Sequence, residues 1–175
     1  GEPHYTTFDG LYYQYQGKCK YLLVGTTPAN NLYPPFKILV KNKIYPPRVG
    51  TAYTDYVELH IYNYVIKIDQ DKVITVTYPL TSLTVTIFND IVLSQGISIY
   101  ADGVILTDFG LKITFDGIWN LYVSIPDDMV GMTEGLCGDH NLDPSNDLTK
   151  YNGVLVTNVN GFGNSWQVYD PDNPR

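Results

Sequence analysis

The feature that most constrains the fold is a long succession of short β-type segments between Lys20 and Pro126. β-branched and aromatic residues dominate these segments, and in several of them apolar and polar residues alternate with a period of two. Such alternation turns one face of each strand toward a core and the other toward solvent. Strands are predicted over residues 21–24, 36–41, 56–68, 73–78, 83–88, 97–100, 104–107, 111–115 and 118–125.

The breaks between these segments are rich in Asp, Asn and Gly, and two of them contain the Asp-Gly pair that is typical of tight hairpin turns. No convincing amphipathic helix separates the strands, so the pattern predicts an all-β fold, an antiparallel β-sandwich. After Pro126 the composition shifts toward Gly, Asn and Asp. This last part is predicted to form a loop-rich C-terminal cap.

Length and charge limit the classes of function. A chain of 175 residues is expected to form one domain, and its formal net charge of −7 disfavours nucleic-acid partners and suits cations or basic partners. The longest apolar runs are far shorter than the roughly 20 residues of a membrane-spanning helix. Three dispersed histidines and the absence of any catalytic signature motif predict that the chain is not an enzyme.

The densest cluster of oxygen-bearing side chains lies between Asp139 and Asp147, where such residues occupy alternate positions and then an adjacent pair. Calcium takes six to eight oxygen ligands, and a short loop of this kind can wrap around one ion. The segment lacks the sixth-position glycine and twelfth-position glutamate of an EF-hand loop. On local sequence alone, a solvated loop of Asx-turns remains an equal alternative.

Four motif blocks carry a family resemblance. They read Gly-Glu-Pro-His-Tyr-Thr-Thr-Phe-Asp-Gly at residues 1–10, Gly-Lys-Cys-Lys-Tyr-Leu-Leu at 17–23, Gly-Leu-Cys-Gly at 135–138 and Phe-Gly-Asn-Ser-Trp at 162–166. In kind and order they resemble the motifs of a von Willebrand factor type D domain. The resemblance implies such a domain over residues 1–170, with 171–175 as a tail or linker.

The resemblance also implies a calcium ion that ties the late acidic loop to the early Phe-Asp-Gly turn. Carried over by position, the metal ligands are the side chains of Asp9, Asp139, Asn141, Asn146 and Asp147, together with the backbone carbonyl of Asp143. The cap is therefore expected to bind Ca²⁺. Asp139 stands where the family usually has Asn, which keeps an oxygen donor and adds negative charge.

Two departures from the family pattern bear on processing and on disulfides. Glu2 replaces the aspartate of the Gly-Asp-Pro-His motif, and its longer side chain disfavours self-cleavage of the bond to Pro3, so that His4 is expected to be a packing or hydrogen-bonding residue. In the family, the counterparts of Cys19 and Cys137 pair with cysteines that lie outside this chain. Pairing with absent segments, a Cys19–Cys137 bond and two thiols all remain open.

The resemblance implies a calcium-stabilised structural and interaction module of a secreted, extracellular multidomain protein of mucin, adhesion or matrix type. Its expected partners are extracellular proteins or neighbouring domains of the same chain, and a homo-oligomer is left open. The alternative is a domain that cleaves itself within the Gly-Glu-Pro-His segment, or one that binds a ligand or catalyses a reaction.

Overall fold

The computed structural model describes residues 3–44 and 50–173, and within these ranges the chain is built almost entirely of β-strands. The fourteen described strands are β1 (His4–Thr6), β2 (Tyr12–Gln14), β3 (Lys20–Thr26), β4 (Phe36–Ile44), β5 (Ala52–Ile61), β6 (Tyr64–Ile68), β7 (Ile74–Thr77), β8 (Thr84–Ile87), β9 (Ile91–Leu93), β10 (Ile97–Tyr100), β11 (Val104–Thr107), β12 (Lys112–Phe115), β13 (Leu121–Ser124) and β14 (Thr133–Glu134). One α-helix, α1 (Val159–Ser165), follows them. Turns of 3₁₀ helix occupy Gln70–Lys72, Ser94–Gly96 and Pro144–Asn146.

The strands form three antiparallel sheets. A seven-stranded sheet has the order β14-β3-β4-β5-β6-β7-β8, a five-stranded sheet has the order β13-β12-β11-β10-β9, and β1 pairs with β2. The two larger sheets contribute to one shared hydrophobic core. This arrangement confirms the predicted all-β sandwich, and the segment after Pro126 is loop-rich as expected, with β14, α1 and a single 3₁₀ turn as its regular elements.

The core follows from the period-two alternation. Residues at every second position of β6, β7, β10 and β12 are buried, while the residues between them are partly or fully exposed. Branched aliphatic side chains fill this interior because they pack well on a pleated surface. The fully buried set includes Ile38, Leu59, Ile66, Ile68, Ile74, Ile97, Ile99, Ile105 and Phe115.

The structure divides the segment predicted as one strand over 56–68 into the hairpin of β5 and β6. The two residues between them, Tyr62 and Asn63, both have positive φ, at 50° and 63°. A two-residue hairpin turn of the primed type needs this backbone, which glycine usually supplies. Here no glycine is present at either position, so the sequence carried no clear turn signal.

The strand predicted over 118–125 begins later, at Leu121. The carboxylate of Asp116 accepts hydrogen bonds from the backbone N–H groups of Ile118, Trp119 and Asn120 at 2.8, 2.9 and 3.0 Å. Because these donors are engaged by a side chain, they are not available to a sheet. The short strands β1, β2, β9 and β14 were not predicted at all.

An ion-pair network lies on the outer face of the seven-stranded sheet. Lys20 Nζ is 2.7 Å from Glu58 Oε1, and His60 Nε2 is 2.8 Å from Glu58 Oε2. Burial by itself raises the pKa of Glu58, but the hydrogen bonds to His60 and Lys20 and their charges outweigh it and hold the pKa at about 2. The ionised carboxylate is therefore favoured by folding.

We expect Glu58→Gln to lower the free energy of unfolding at neutral pH and to have little effect near pH 2. A folded-state pKa of about 2, below the ordinary value of 4.5, means that the carboxylate stabilises the fold above pH 4.5 and loses this effect as the pH falls toward 2. Urea unfolding of both proteins across this range measures the difference. A difference that stays constant with pH would contradict the assignment.

Within the described residues, no helix is long and apolar enough to cross a membrane.

Candidate metal centre

Three carboxylates from distant parts of the chain meet at one end of the sandwich. Oxygen atoms of Asp9, Asp139 and Asp147 all lie within 4.8 Å of one another. Asp9 belongs to the turn after β1, Asp139 follows the Gly-Leu-Cys-Gly block, and Asp147 ends the 3₁₀ turn Pro144–Asn146. The fold thus brings together one early and two late residues of the predicted set.

Backbone hydrogen bonds fix the position of Asp9. Phe8 N–H donates to the carbonyl of Cys137 at 3.0 Å, which ties the early turn to the Gly-Leu-Cys-Gly block. The Asp9 carboxylate in turn accepts from the N–H groups of Asn141 at 3.1 Å and Leu142 at 2.9 Å. These hydrogen bonds by themselves hold the early turn against the acidic loop.

Asp147 is the most enclosed member of the cluster. Its side chain is nearly inaccessible, with 2% of the residue exposed, and its Oδ2 accepts a hydrogen bond from the hydroxyl of Thr7. Among the described residues, neither Asp147 Oδ1 nor Asn146 Oδ1 has a hydrogen-bond partner, although both atoms are buried. A buried polar atom left without a partner costs about 1–3 kcal/mol. Three carboxylates, one of them with a buried unpartnered oxygen, and the unpartnered amide oxygen of the adjacent Asn146 fit the ligand preference of a hard cation.

The electrostatics of the cluster also favour a cation. Burial raises the pKa of Asp147 to about 6, and the charges of Asp9 and Asp139 add to this, while the Thr7 hydrogen bond opposes it. The pKa of Asp139 is raised mainly by burial and further by the charge of Asp9. None of the ion pairs within residues 3–44 and 50–173 involves these three carboxylates.

The side chains of Asn141 and Asp143 are engaged within their own loop. Asn141 Oδ1 accepts from the N–H of Asp143 at 2.9 Å, and Asp143 Oδ1 accepts from the N–H and hydroxyl of Ser145 at 3.0 and 2.6 Å. These are the Asx-turns that the local sequence allowed as an alternative. The Asx-turn alternative therefore holds for Asn141 and Asp143, and the metal site stays a prediction. The ligand assignments for Asn141, Asn146 and Asp143 stay predictions.

Two residues that shape the site were not singled out from the sequence. Thr7 is buried and bonds to Asp147, and Gly138 has a φ of +80°, with any added Cβ only 2.5 Å from Asp147 Oδ1. Asp139, Asn146 and Asp147 line a cavity of about 150 Å³ beside Gly138. Both residues lie inside the motif blocks, so the family resemblance of these blocks was the sequence signal that could have identified them.

Tyr13 and Tyr15, which lie between the first and second motif blocks, contact the third and fourth blocks. Tyr13 donates from its hydroxyl to the carbonyl of Leu136, and its ring packs edge-on against Phe162 of α1 at 5.6 Å. Tyr15 donates to Asn164 Oδ1 at 2.6 Å. The helix is thereby joined to β2 and the residue after it. Backbone hydrogen bonds from Leu22 N–H to the Trp166 carbonyl and from Leu136 N–H to the Leu22 carbonyl bring the second block against the third and fourth.

No disulfide links Cys19 to Cys137, both of which the structure describes. Burial, with a smaller effect of the Asp147 charge, raises the pKa of Cys137 to about 12, so its thiol is protonated at neutral pH. Cys137 lines a cleft of about 620 Å³ together with Pro3 and His4. Disulfides to segments outside this chain stay a prediction.

The processing alternative centres on the bond between Glu2 and Pro3, and Glu2 lies outside the described residues. His4 lies on β1, where its Nδ1 is 2.5 Å from the hydroxyl of Tyr12 and the two rings stack. This is the hydrogen-bonding and packing environment that was expected for His4.

Comparisons with known proteins place these features in a family. The family profile described as von Willebrand factor type D domain matches residues 1–154. The chain is 35% identical over 176 residues to human IgGFc-binding protein, 36% over 180 residues to mouse alpha-tectorin and 31% over 177 residues to pig zonadhesin.

These alignments cover 99%, 98% and 96% of the chain but only 3%, 8% and 7% of the relatives, so the chain spans less than a tenth of their length. The family match and the all-β sandwich agree with what the motif blocks implied. The chain belongs to the von Willebrand factor type D domain family.

Proposed function

We propose that this domain is a calcium-stabilised structural and interaction module of an extracellular multidomain protein. The observation that carries the proposal is the convergence of the carboxylates of Asp9, Asp139 and Asp147, among which Asp147 Oδ1 is buried without a hydrogen-bond partner in the described part of the chain. Carboxylate and amide oxygens are the ligands that calcium prefers. Family membership and the much greater length of the relatives support a module within a larger protein.

The proposed site would be held by the side chains of Asp9, Asp139, Asn141, Asn146 and Asp147 and by the backbone carbonyl of Asp143, with Asx-turns of Asn141 and Asp143 shaping the loop. A bound calcium ion would supply positive charge and coordination to these oxygens. The protein residues supply the rest: Thr7 orients Asp147, and the backbone N–H groups of Asn141 and Leu142 orient Asp9. The ion would link the first motif block to the last third of the chain.

The domain is proposed to serve assembly and presentation rather than catalysis. Family membership favours this. His4, next to the segment of the processing alternative, is hydrogen-bonded to and stacked on Tyr12, which fits a packing role. The proposed partners are extracellular proteins or neighbouring domains of the same chain.

Thermal unfolding with calcium and with chelator tests the proposal. A ligand that binds only the folded state stabilises it by about 2.7 kcal/mol at a hundredfold excess over its Kd. For a domain of this size that corresponds to a rise of roughly 5–10 °C in melting temperature. We expect this rise with calcium and a smaller one with magnesium, because magnesium demands a tighter octahedral site.

Asp147→Asn should lose most of this rise, and Asp102→Asn provides its matched control, since Asp102 is exposed in the turn between β10 and β11 and is not part of the Asp9, Asp139 and Asp147 cluster. It removes the same charge but should leave the response to calcium unchanged. Superimposable melting curves with calcium and with chelator would overturn the proposal.

A further inference from the structure

The strand β8 forms one end of the seven-stranded sheet. It pairs in regular antiparallel register with β7, from Ile74 opposite Ile87 to Thr77 opposite Thr84, and no other described strand pairs with it. Its residues are exposed except for Ile87, which is half-buried. One edge of β8 therefore presents backbone groups to solvent.

Apart from its short length of four residues, this edge lacks the devices that normally prevent strands from pairing with other chains. Proteins blunt such edges with charged side chains, prolines within the strand or β-bulges. The hairpin from Val73 to Phe88 contains no Asp, Glu, Lys or Arg, its proline lies in the turn, and the register is uninterrupted. A neutral segment of this length is notable in a chain with a net charge of −7.

The hairpin register determines which groups of β8 point outward. Tyr78 N–H donates to the carbonyl of Leu83 at 2.9 Å, so this is a hydrogen-bonded pair. Because such pairs alternate along an antiparallel ladder, Val85 and Ile87 also bond toward β7, and Thr84 and Thr86 direct their N–H and C=O groups away from it. The hydroxyls of Thr77 and Thr84 lie 2.9 Å apart, as expected for a closely spaced, non-hydrogen-bonded pair.

The inner face of the same strand is apolar and only partly covered. Val85 stands opposite Val76, which is fully buried, yet Val85 itself is 37% exposed. Leu83, on the same face, is 59% exposed, and the neighbouring Phe88 is 82% exposed. The five-stranded sheet thus stops short of covering β8, and an apolar stripe continues to the edge.

We propose that β8 pairs antiparallel with β8 of a second copy of this chain, about a two-fold axis at Val85. In this register Thr84 lies opposite Thr86 of the partner subunit, and each such pair exchanges two backbone hydrogen bonds. Val85 faces Val85 of the partner subunit, and Leu83 faces Ile87 of the partner subunit. The register is self-complementary, because outward hydrogen-bonding residues meet each other and inner apolar residues meet each other.

A second copy is favoured as the partner for two reasons. The neutral hairpin is a place where two chains of net charge −7 can approach without direct repulsion between charged side chains. The contact is also isologous and uses the one β8 edge of each chain, so it closes at a dimer and does not propagate. Because a single short edge buries a limited area, the dimer is expected to be reversible and concentration-dependent.

Sedimentation equilibrium over a range from micromolar to millimolar protein tests the proposal. The apparent mass of the wild type is expected to rise toward twice the monomer value as concentration increases. Thr86→Pro removes one outward N–H that the chain's own ladder does not use, so it should leave the domain folded and monomeric. Thr86→Val keeps that N–H and should still dimerise.

A charged variant makes the test independent of how well proline is tolerated. Val85→Lys places two like charges directly opposite each other at the axis and should also give a monomer at every concentration. Val154→Lys introduces the same residue in the exposed part of the cap, near the β14 end of the sheet, and should dimerise like the wild type. A wild type that stays monomeric throughout the range would overturn the proposal, as would undiminished dimerisation of Val85→Lys.

Discussion

Asp147→Asn is expected to raise the melting temperature of the metal-free domain by about 2–4 °C and to remove most of the stabilisation by calcium. In the absence of metal, Asp147 is a buried carboxylate beside Asp9 and Asp139, and like charges this close repel one another. The amide keeps an oxygen that can accept from Thr7 while removing the charge. In the presence of calcium the same change removes a charged ligand.

For Asp147→Asn, a gain in melting temperature without metal combined with a loss of the stabilisation by calcium distinguishes a metal site from a purely structural acidic cluster. Melting curves of the wild type and of Asp147→Asn, each recorded with chelator and with calcium, give the four melting temperatures that this comparison needs. A structural role for Asp147 through Thr7 alone predicts a variant that is less stable in both conditions. That result would contradict a role for Asp147 as a metal ligand.

Gly163→Ala is expected to destabilise the domain by about 1–3 kcal/mol, the usual cost of forcing atoms into a packed core. Replacement of glycine by alanine within a helix normally stabilises it by about 0.5–1 kcal/mol. At Gly163, however, an added Cβ would lie 2.4 Å from the Tyr15 ring. The ring is held by its hydroxyl bond to Asn164 and cannot move aside easily.

Gly161→Ala is the matched control, because it lies in the same helix and its Cβ would meet nothing closer than 3.9 Å. We expect this variant to be unchanged or slightly more stable. Urea unfolding should therefore show a loss of stability for Gly163→Ala and no loss for Gly161→Ala. Equal changes in the free energy of unfolding for the two variants would mean that the close contact between Gly163 and the Tyr15 ring does not exclude a larger side chain.

The fold was largely predictable because apolar and polar residues alternate along the strands with a period of two, and only one face of each strand packs into the core. Residues 97–100 and 104–107 were predicted with the bounds that the structure shows. The hairpin at Tyr62 and Asn63 could not be predicted in the same way, because residues with side chains adopt a backbone there that is ordinarily signalled by glycine.

The candidate site was predictable only in part from local sequence. The acidic loop is visible as a pattern, but nothing near Asp139 indicates that Asp9 will lie beside it, since that contact depends on the hydrogen bond between Phe8 and Cys137. The motif blocks supplied this link. The spacing of oxygens also could not show that Asn141 and Asp143 turn their side chains into the loop, because Asx-turns use the same residues.

The central claim is that Asp9, Asp139 and Asp147 hold a calcium ion, and the most direct measurement is diffraction from crystals grown with calcium. Data collected at a long wavelength would locate the ion by its anomalous signal. We predict one peak per chain, with oxygens of these three residues about 2.3–2.6 Å away. An anomalous map with no peak between the three carboxylates at saturating calcium would contradict the claim.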